Sequence, residues 1–115
     1  VKAMRIQEKA RSAGFDWEKP EQVWEKVLEE LNEFRKECEK GNTEKMKAEF
    51  GDVLFSLINY ARFLNINPEE ALERTNLKFI KRFNYLERQS KADGKNLKAM
   101  SLEEMDQYWN KAKEL

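Results

Sequence analysis

Apolar residues return every three or four positions along most of the chain, and short polar breaks divide that rhythm into five helical segments. From Lys2 to about Ala13 the pattern predicts a charged amphipathic helix stopped at Gly14, after which Phe15 and Trp17 anchor a loop. A second helix is expected from Pro20, whose missing N–H costs nothing in a first turn. Its apolar residues run from Val23 to Cys38, and Gly41 ends them. Thr43 opens a third helix to about Leu64. Asn67-Pro68-Glu69-Glu70 reads as a cap, a first-turn proline and an acidic residue reaching back to the cap, so a fourth helix follows to about Ser90. Asp93-Gly94 is a turn, and Ser101-Leu102-Glu103-Glu104 is a capping box for a short last helix that carries Tyr108 and Trp109. Connections this short favour antiparallel neighbours, so the expectation is an all-α antiparallel bundle of about five helices in one domain, residues 1–115.

Composition agrees and removes several function classes. Only 4 Gly and 2 Pro punctuate 115 residues, too few for a sheet with many turns. At 40% hydrophobic and 38% charged, the chain is too apolar for disorder and too charged for a membrane span. Lys plus Arg number 22 and Asp plus Glu 22, so no net field draws nucleic acid or an anionic membrane. With no His, a metal site must use oxygen ligands, which suits Mg²⁺, Mn²⁺ or Ca²⁺, and imidazole acid–base chemistry is excluded. One cysteine, Cys38, and the lack of a leader-like start point to a cytoplasmic setting. The chain begins with Val1, which fits a processed form or an excised piece.

The second helix places Val23, Trp24, Val27, Leu28, Leu31, Phe34 and Cys38 on one arc, which is the expected core face. Cys38 therefore reads as a small buried hydrophobe, and Trp24, Phe34, Phe50, Phe55 and Phe83 as core aromatics. Lys26, Glu30, Glu33 and Glu37 border that arc, with Glu29 further toward solvent. The third helix is apolar nearly all round from Val53 to Leu64, as a central helix is. Its polar residues Glu49, Asp52, Ser56 and Asn59 follow at spacings of 3, 4 and 3 and stack in one strip. A carboxylate on such a helix must pair, bind a cation or take up a proton. If the two helices are antiparallel neighbours, Glu30 and Glu33 meet Glu49 and Asp52, and four carboxylates at one gap call for a divalent ion, expected to be Mg²⁺. Lys78 and Arg82, four apart on the fourth helix, supply the cations that would hold a polyphosphate beside that ion.

Glu29-Glu30-Leu31-Asn32-Glu33, with Glu49-Phe50-Gly51-Asp52 sixteen residues beyond Glu33, resembles the EExxE and ExxD motifs of the MazG-type all-α nucleoside triphosphate pyrophosphohydrolases. Gly14-Phe15-Asp16-Trp17, Gly51-Asp52-Val53-Leu54-Phe55, Thr75-Asn76-Leu77-Lys78-Phe79 and Tyr108-Trp109 extend the resemblance over most of the chain, closest to the C-terminal catalytic half of two-domain MazG proteins. The resemblance implies Mg²⁺-dependent hydrolysis of (deoxy)nucleoside triphosphates at the α–β bond, giving a monophosphate and pyrophosphate, with Mn²⁺ as the alternative ion. It implies metal ligation by Glu30, Glu33, Glu49 and Asp52, triphosphate contacts from Lys26, Lys78 and Arg82, and a role for Glu29 at the attacking water. Trp109 corresponds to an aromatic at the nucleotide, although it could equally pin the last helix to the bundle. A homodimer or homotetramer, with the four-helix core completed across the interface, follows from the same resemblance. Spacing alone does not choose among Glu29, Glu30 and Glu33 as the proton acceptor. The competing reading is a non-catalytic regulatory or interaction helical module that retains nucleotide binding.

Overall fold

The structure, a computed structural model, describes residues 1–115 and is all-α. Its helices are α1 (Lys2–Ser12), α2 (Pro20–Lys40), α3 (Thr43–Phe63), α4 (Pro68–Ala92) and α5 (Leu102–Ala112), with a single 3₁₀ turn at Leu97–Ala99 before α5. The predicted boundaries hold to within about two residues. No helix is long and apolar enough to cross a membrane. The chain divides into two compact units, Val1–Glu69 and Glu70–Leu115.

The first unit is built on the α2–α3 hairpin. Gly41 closes α2 at φ +72°, a left-handed conformation that glycine takes without a Cβ penalty, and Asn42 caps α3 by accepting the Lys45 N–H at 3.1 Å. Register follows from two ring contacts: Phe34 meets Phe50 at 5.5 Å, and Trp24, ten residues earlier, meets Tyr60, ten residues later, at 5.2 Å. The helices are therefore antiparallel, and α1 packs on the same α3. The start of α2 has no Ser, Thr, Asp or Asn cap. Instead Gln22 Oε1 accepts the Glu18 and Lys19 N–H groups, each at 3.1 Å.

Which face is buried differs from expectation. On α2 the covered strip holds Val23, Val27 and Glu30, while Trp24, Leu28 and Leu31 are exposed, as is Cys38. The predicted arc is too wide for one neighbour: its second half lies roughly 60–140° round the helix from Val23. On α3 the inward strip is the polar one, with Ser56 and Asn59 buried beside Val53, and Leu54, Phe55 and Leu57 face outward. Phe50 and Phe83 are exposed as well, so of the expected core aromatics only Phe34 is half-buried, and Phe15, 83% exposed, anchors nothing.

In the second unit, α5 is held to α4 by Phe79 against Trp109 (5.0 Å) and by the buried Tyr108, whose hydroxyl donates to Asp93 at 2.5 Å. That bond and burial raise the Tyr108 pKa. Ser101 accepts the Glu104 N–H at 3.2 Å and caps α5 as expected. Ser101→Ala is expected to lose about 1 kcal/mol, read as a shifted urea midpoint with an unchanged m-value.

Candidate functional site

The hairpin register sets three carboxylates at one gap. Glu30 is 7% exposed in the middle of α2. Its Oε1 accepts from Lys26 Nζ at 3.0 Å, and its Oε2 is buried without a partner. Across from it, Glu49 is half-buried with its Oε2 likewise buried and unpartnered. Asp52, one turn on, is exposed. One oxygen from each of the three lies within 4.8 Å of the others. Glu33 stands outside that trio, although its charge bears on Glu49. Burial raises the Glu49 pKa, and the charges of Glu33, Asp52 and Glu30 raise it further. Such a group of negative charges in a partly dry gap is stable only if a proton or a cation joins it. Hard oxygen donors with two free buried lone-pair sites suit a divalent ion of the Mg²⁺ or Mn²⁺ kind.

Lys26 pairs with Glu29 at 3.4 Å as well as with Glu30, and its pKa is raised chiefly by the Glu30 hydrogen bond against the opposing effect of burial. Glu29 itself is exposed. Glu37 continues the acidic edge: Lys40 holds its Oε1 at 3.6 Å, and its Oε2 is a third buried oxygen without a partner. It follows Glu33 by four residues, but no motif singled it out.

The acid group opens into a hollow of about 290 Å³ whose walls include Lys26, Glu30, Asp52, Ser56 and Asn59. The polar strip of α3 is thus the lining of a cleft, which is why it faces inward. Trp17 and Phe55 close the hollow and also wall a second one of about 360 Å³. The loop bearing Trp17 is held by Arg62, only 7% exposed, which donates to Asp16 at 2.6 and 3.2 Å and to Asn59 at 2.8 and 3.1 Å. Sequence reasoning missed this lock. An arginine at the end of an apolar helix and an aspartate in a short loop carry no spacing that links them. Lys78, Arg82 and Trp109, the other expected site residues, belong to the second unit: Lys78 is exposed, Arg82 half-buried, and Trp109 half-buried against Phe79.

The profile of the MazG nucleotide pyrophosphohydrolase domain matches residues 18–86, more than half of the chain. The chain belongs to the MazG family. The matched stretch includes every acidic residue of the cluster together with Lys26, Lys78 and Arg82, and it excludes Trp109 and all of α1. Among MazG relatives, the nucleoside triphosphate pyrophosphohydrolase/pyrophosphatase MazG of Thermotoga maritima is 46% identical over 96% of this chain and 42% of its own length. The nucleoside triphosphate pyrophosphohydrolase of Escherichia coli is 36% identical over 98% of this chain and 44% of its own. YabN of Bacillus subtilis, described as uncharacterized, is 59% identical over 60% of this chain and 14% of its own. The chain thus spans less than half the length of these curated relatives.

Proposed function

We propose that this MazG domain hydrolyses nucleoside and deoxynucleoside triphosphates between the α and β phosphates, with Mg²⁺, to a monophosphate and pyrophosphate. The observation that carries the reading is the trio of Glu30, Glu49 and Asp52 oxygens within 4.8 Å, two of them carboxylates with a buried oxygen lacking any partner. In support, two MazG relatives are named nucleoside triphosphate pyrophosphohydrolases.

Glu30, Glu49 and Asp52, with Glu33 beside them, would hold the divalent ion. Bound there, it supplies Lewis-acid polarisation of the phosphate oxygens and acidification of a water. Lys26, already at the cluster, contacts the phosphate chain, and Lys78 and Arg82 are assigned to the leaving pyrophosphate. A water oxygen attacks the α-phosphorus, the bond to the α–β bridging oxygen breaks, and a carboxylate takes the water's proton. Glu30 pairs with Lys26 and belongs to the trio. Of the other two candidates, both exposed, Glu29 is paired with Lys26, whereas the charge of Glu33 acts on Glu49, so Glu33 is assigned the proton. Trp109 is assigned to the nucleotide on the same footing as Lys78 and Arg82.

A homodimer or homotetramer belongs to the same proposal. Leu54 and Leu57 on α3 and Leu72, Phe79 and Ile80 on α4 are between 42% and 61% exposed, which is the kind of apolar surface that a second copy covers. A cytoplasmic setting suits both the substrate and the free, exposed Cys38. Light scattering is expected to give at least twice the 13.8 kDa chain mass.

The test is a panel of NTPs and dNTPs with Mg²⁺. Equimolar pyrophosphate and monophosphate are expected; orthophosphate alone would overturn the assignment of the bond. Nucleotide binding without turnover would instead make the chain a non-catalytic binding module. A second expectation needs no turnover: Mg²⁺ at about a hundred times its Kd should stabilise the fold by about 2.7 kcal/mol, removable by chelator, and no thermal shift would argue against the cation site.

A further inference from the structure

The acid-lined hollow has two chemically different ends. Glu30 and Asp52 offer acceptors, which suit a cation. Seven residues beyond Asp52 on the same strip of α3, about 10.5 Å along the helix, stands Asn59. Ser56 lies between them, and its hydroxyl donates to the Val53 carbonyl oxygen at 2.8 Å, so it brings no free donor to the wall. Lys26 lines the hollow too. The register that sets Trp24 against Tyr60 brings Lys26, two residues on from Trp24, opposite the Ile58-Asn59 stretch.

Asn59 is 9% exposed. Its Oδ1 accepts from Arg62 Nε at 3.1 Å and from Arg62 Nη2 at 2.8 Å. A guanidinium can only donate, so the carboxamide cannot be turned round, and Nδ2 is the opposite end. Arg62 borders the second hollow and not the acid-lined one, so Oδ1 is turned toward the former and Nδ2 toward the latter. Nδ2 makes no hydrogen bond inside the fold and is not among the unpartnered atoms sealed from solvent, so its two N–H groups reach open space. On the α1 side the same helix is held by Gln7, whose Nε2 donates to the Phe55 carbonyl oxygen at 3.0 Å. A pair of N–H donors has nothing to give a cation. Beside an ammonium, it suits oxygens that carry negative charge.

We propose that Asn59 is a substrate-binding residue whose Nδ2 donates to nonbridging oxygens of the phosphate chain, alongside Lys26. The inference rests on the nucleotide reading above and adds a contact that neither acidic motif contains. The carboxylates and their ion hold the chain at one end of the hollow, and Asn59 and Lys26 hold it at the other. The amide is set before substrate arrives, because Arg62 already fixes which end faces the hollow. It meets the same oxygens before and during cleavage, so its loss shows in KM more than in kcat.

The test uses inorganic tripolyphosphate with Mg²⁺, which has a phosphate chain and neither sugar nor base. Asn59→Asp keeps acceptor oxygens for Arg62, so the loop stays held and the melting temperature should stay near that of the wild type. Its carboxylate has no N–H and repels phosphate. Calorimetric affinity for tripolyphosphate should fall roughly tenfold or more, and KM for every nucleotide should rise by a similar factor. Unchanged tripolyphosphate affinity overturns the inference, and a loss confined to nucleotides would place Asn59 at the sugar or base instead. In the wild type, the side-chain amide proton resonances of Asn59 should move when tripolyphosphate is added to the Mg²⁺-loaded protein, an arm that needs no variant to fold. If they stay in place, the variant's weaker binding comes from its added charge alone, and the inference falls. The pyrophosphate assay separates this from the proposed activity: the amide shift without nucleotide cleavage sinks the catalysis alone, and cleavage with an unmoved amide sinks this contact alone.

Discussion

Glu49→Gln is expected to cut pyrophosphate release at least 100-fold, by the magnitude usual for losing one charged group at a reacting centre, while making the metal-free protein more stable. The two effects share a cause. Glu49 is half-buried with one oxygen out of reach of any partner, and the charges of Glu33, Asp52 and Glu30 face it. The amide keeps the shape and removes the charge, so repulsion in the empty gap falls as the donor set for the ion is broken. The sign with pH follows. The folded-state pKa of Glu49 is raised above its ordinary 4.5, so its contribution to stability is full below that value and is lost as pH rises through the raised one. With chelator present, wild-type melting temperature should therefore decline across that window, and the variant's should decline less. Added Mg²⁺ should reverse the order of the two proteins at neutral pH. A Glu49→Gln enzyme with wild-type kcat, or a metal-free variant less stable than wild type at neutral pH, would remove Glu49 from the site.

Local chemistry made the fold legible. The glycine after α2, the Asn67-Pro68 start of α4 and the Ser101 box all act within a few residues, and each helix begins and ends close to where they place it. The acid cluster was legible for a related reason: two pairs of carboxylates at helical spacing, on helices joined by a two-residue turn, have few ways to avoid meeting. Burial was harder to read. An apolar arc shows what must be covered, not by what, and Leu28, Leu31, Leu54 and Phe55 stay exposed because helices within one chain cover only part of α2 and α3. Glu30 goes under for the same reason, since the covered strip is centred between the apolar and acidic edges of α2. Gln7 and the lock of Arg62, Asp16 and Asn59 join residues up to 48 positions apart through single polar contacts, which leave no periodic trace.

Arg62→Met should destabilise the fold by about 2 kcal/mol, chiefly the cost of leaving the buried Asn59 acceptor unmade, and should lower the melting temperature by about 8 °C. Methionine keeps the length of the apolar stem and removes every donor. The Asp16 carboxylate would keep the Trp17 N–H and the Arg11 guanidinium 3.9 Å away, whereas Asn59 Oδ1 would lose both of its donors inside the fold. Acid should narrow the gap between variant and wild type. The Arg62 hydrogen bond holds the Asp16 pKa below its ordinary 3.8, so the contribution of that pair is present above this value and is lost as pH falls through the depressed one. Asp16→Asn added to Arg62→Met should change stability little further, since the exposed Asp16 has already lost its pair. The functional consequence differs from that of the acidic residues. Trp17 and Asn59 wall both hollows, so a loosened loop should raise KM for every nucleotide while kcat changes little. A fall in kcat with KM unchanged would show instead that Arg62 acts on the reacting phosphates, and a double variant markedly less stable than Arg62→Met would show that Asp16 holds the loop through partners other than Arg62.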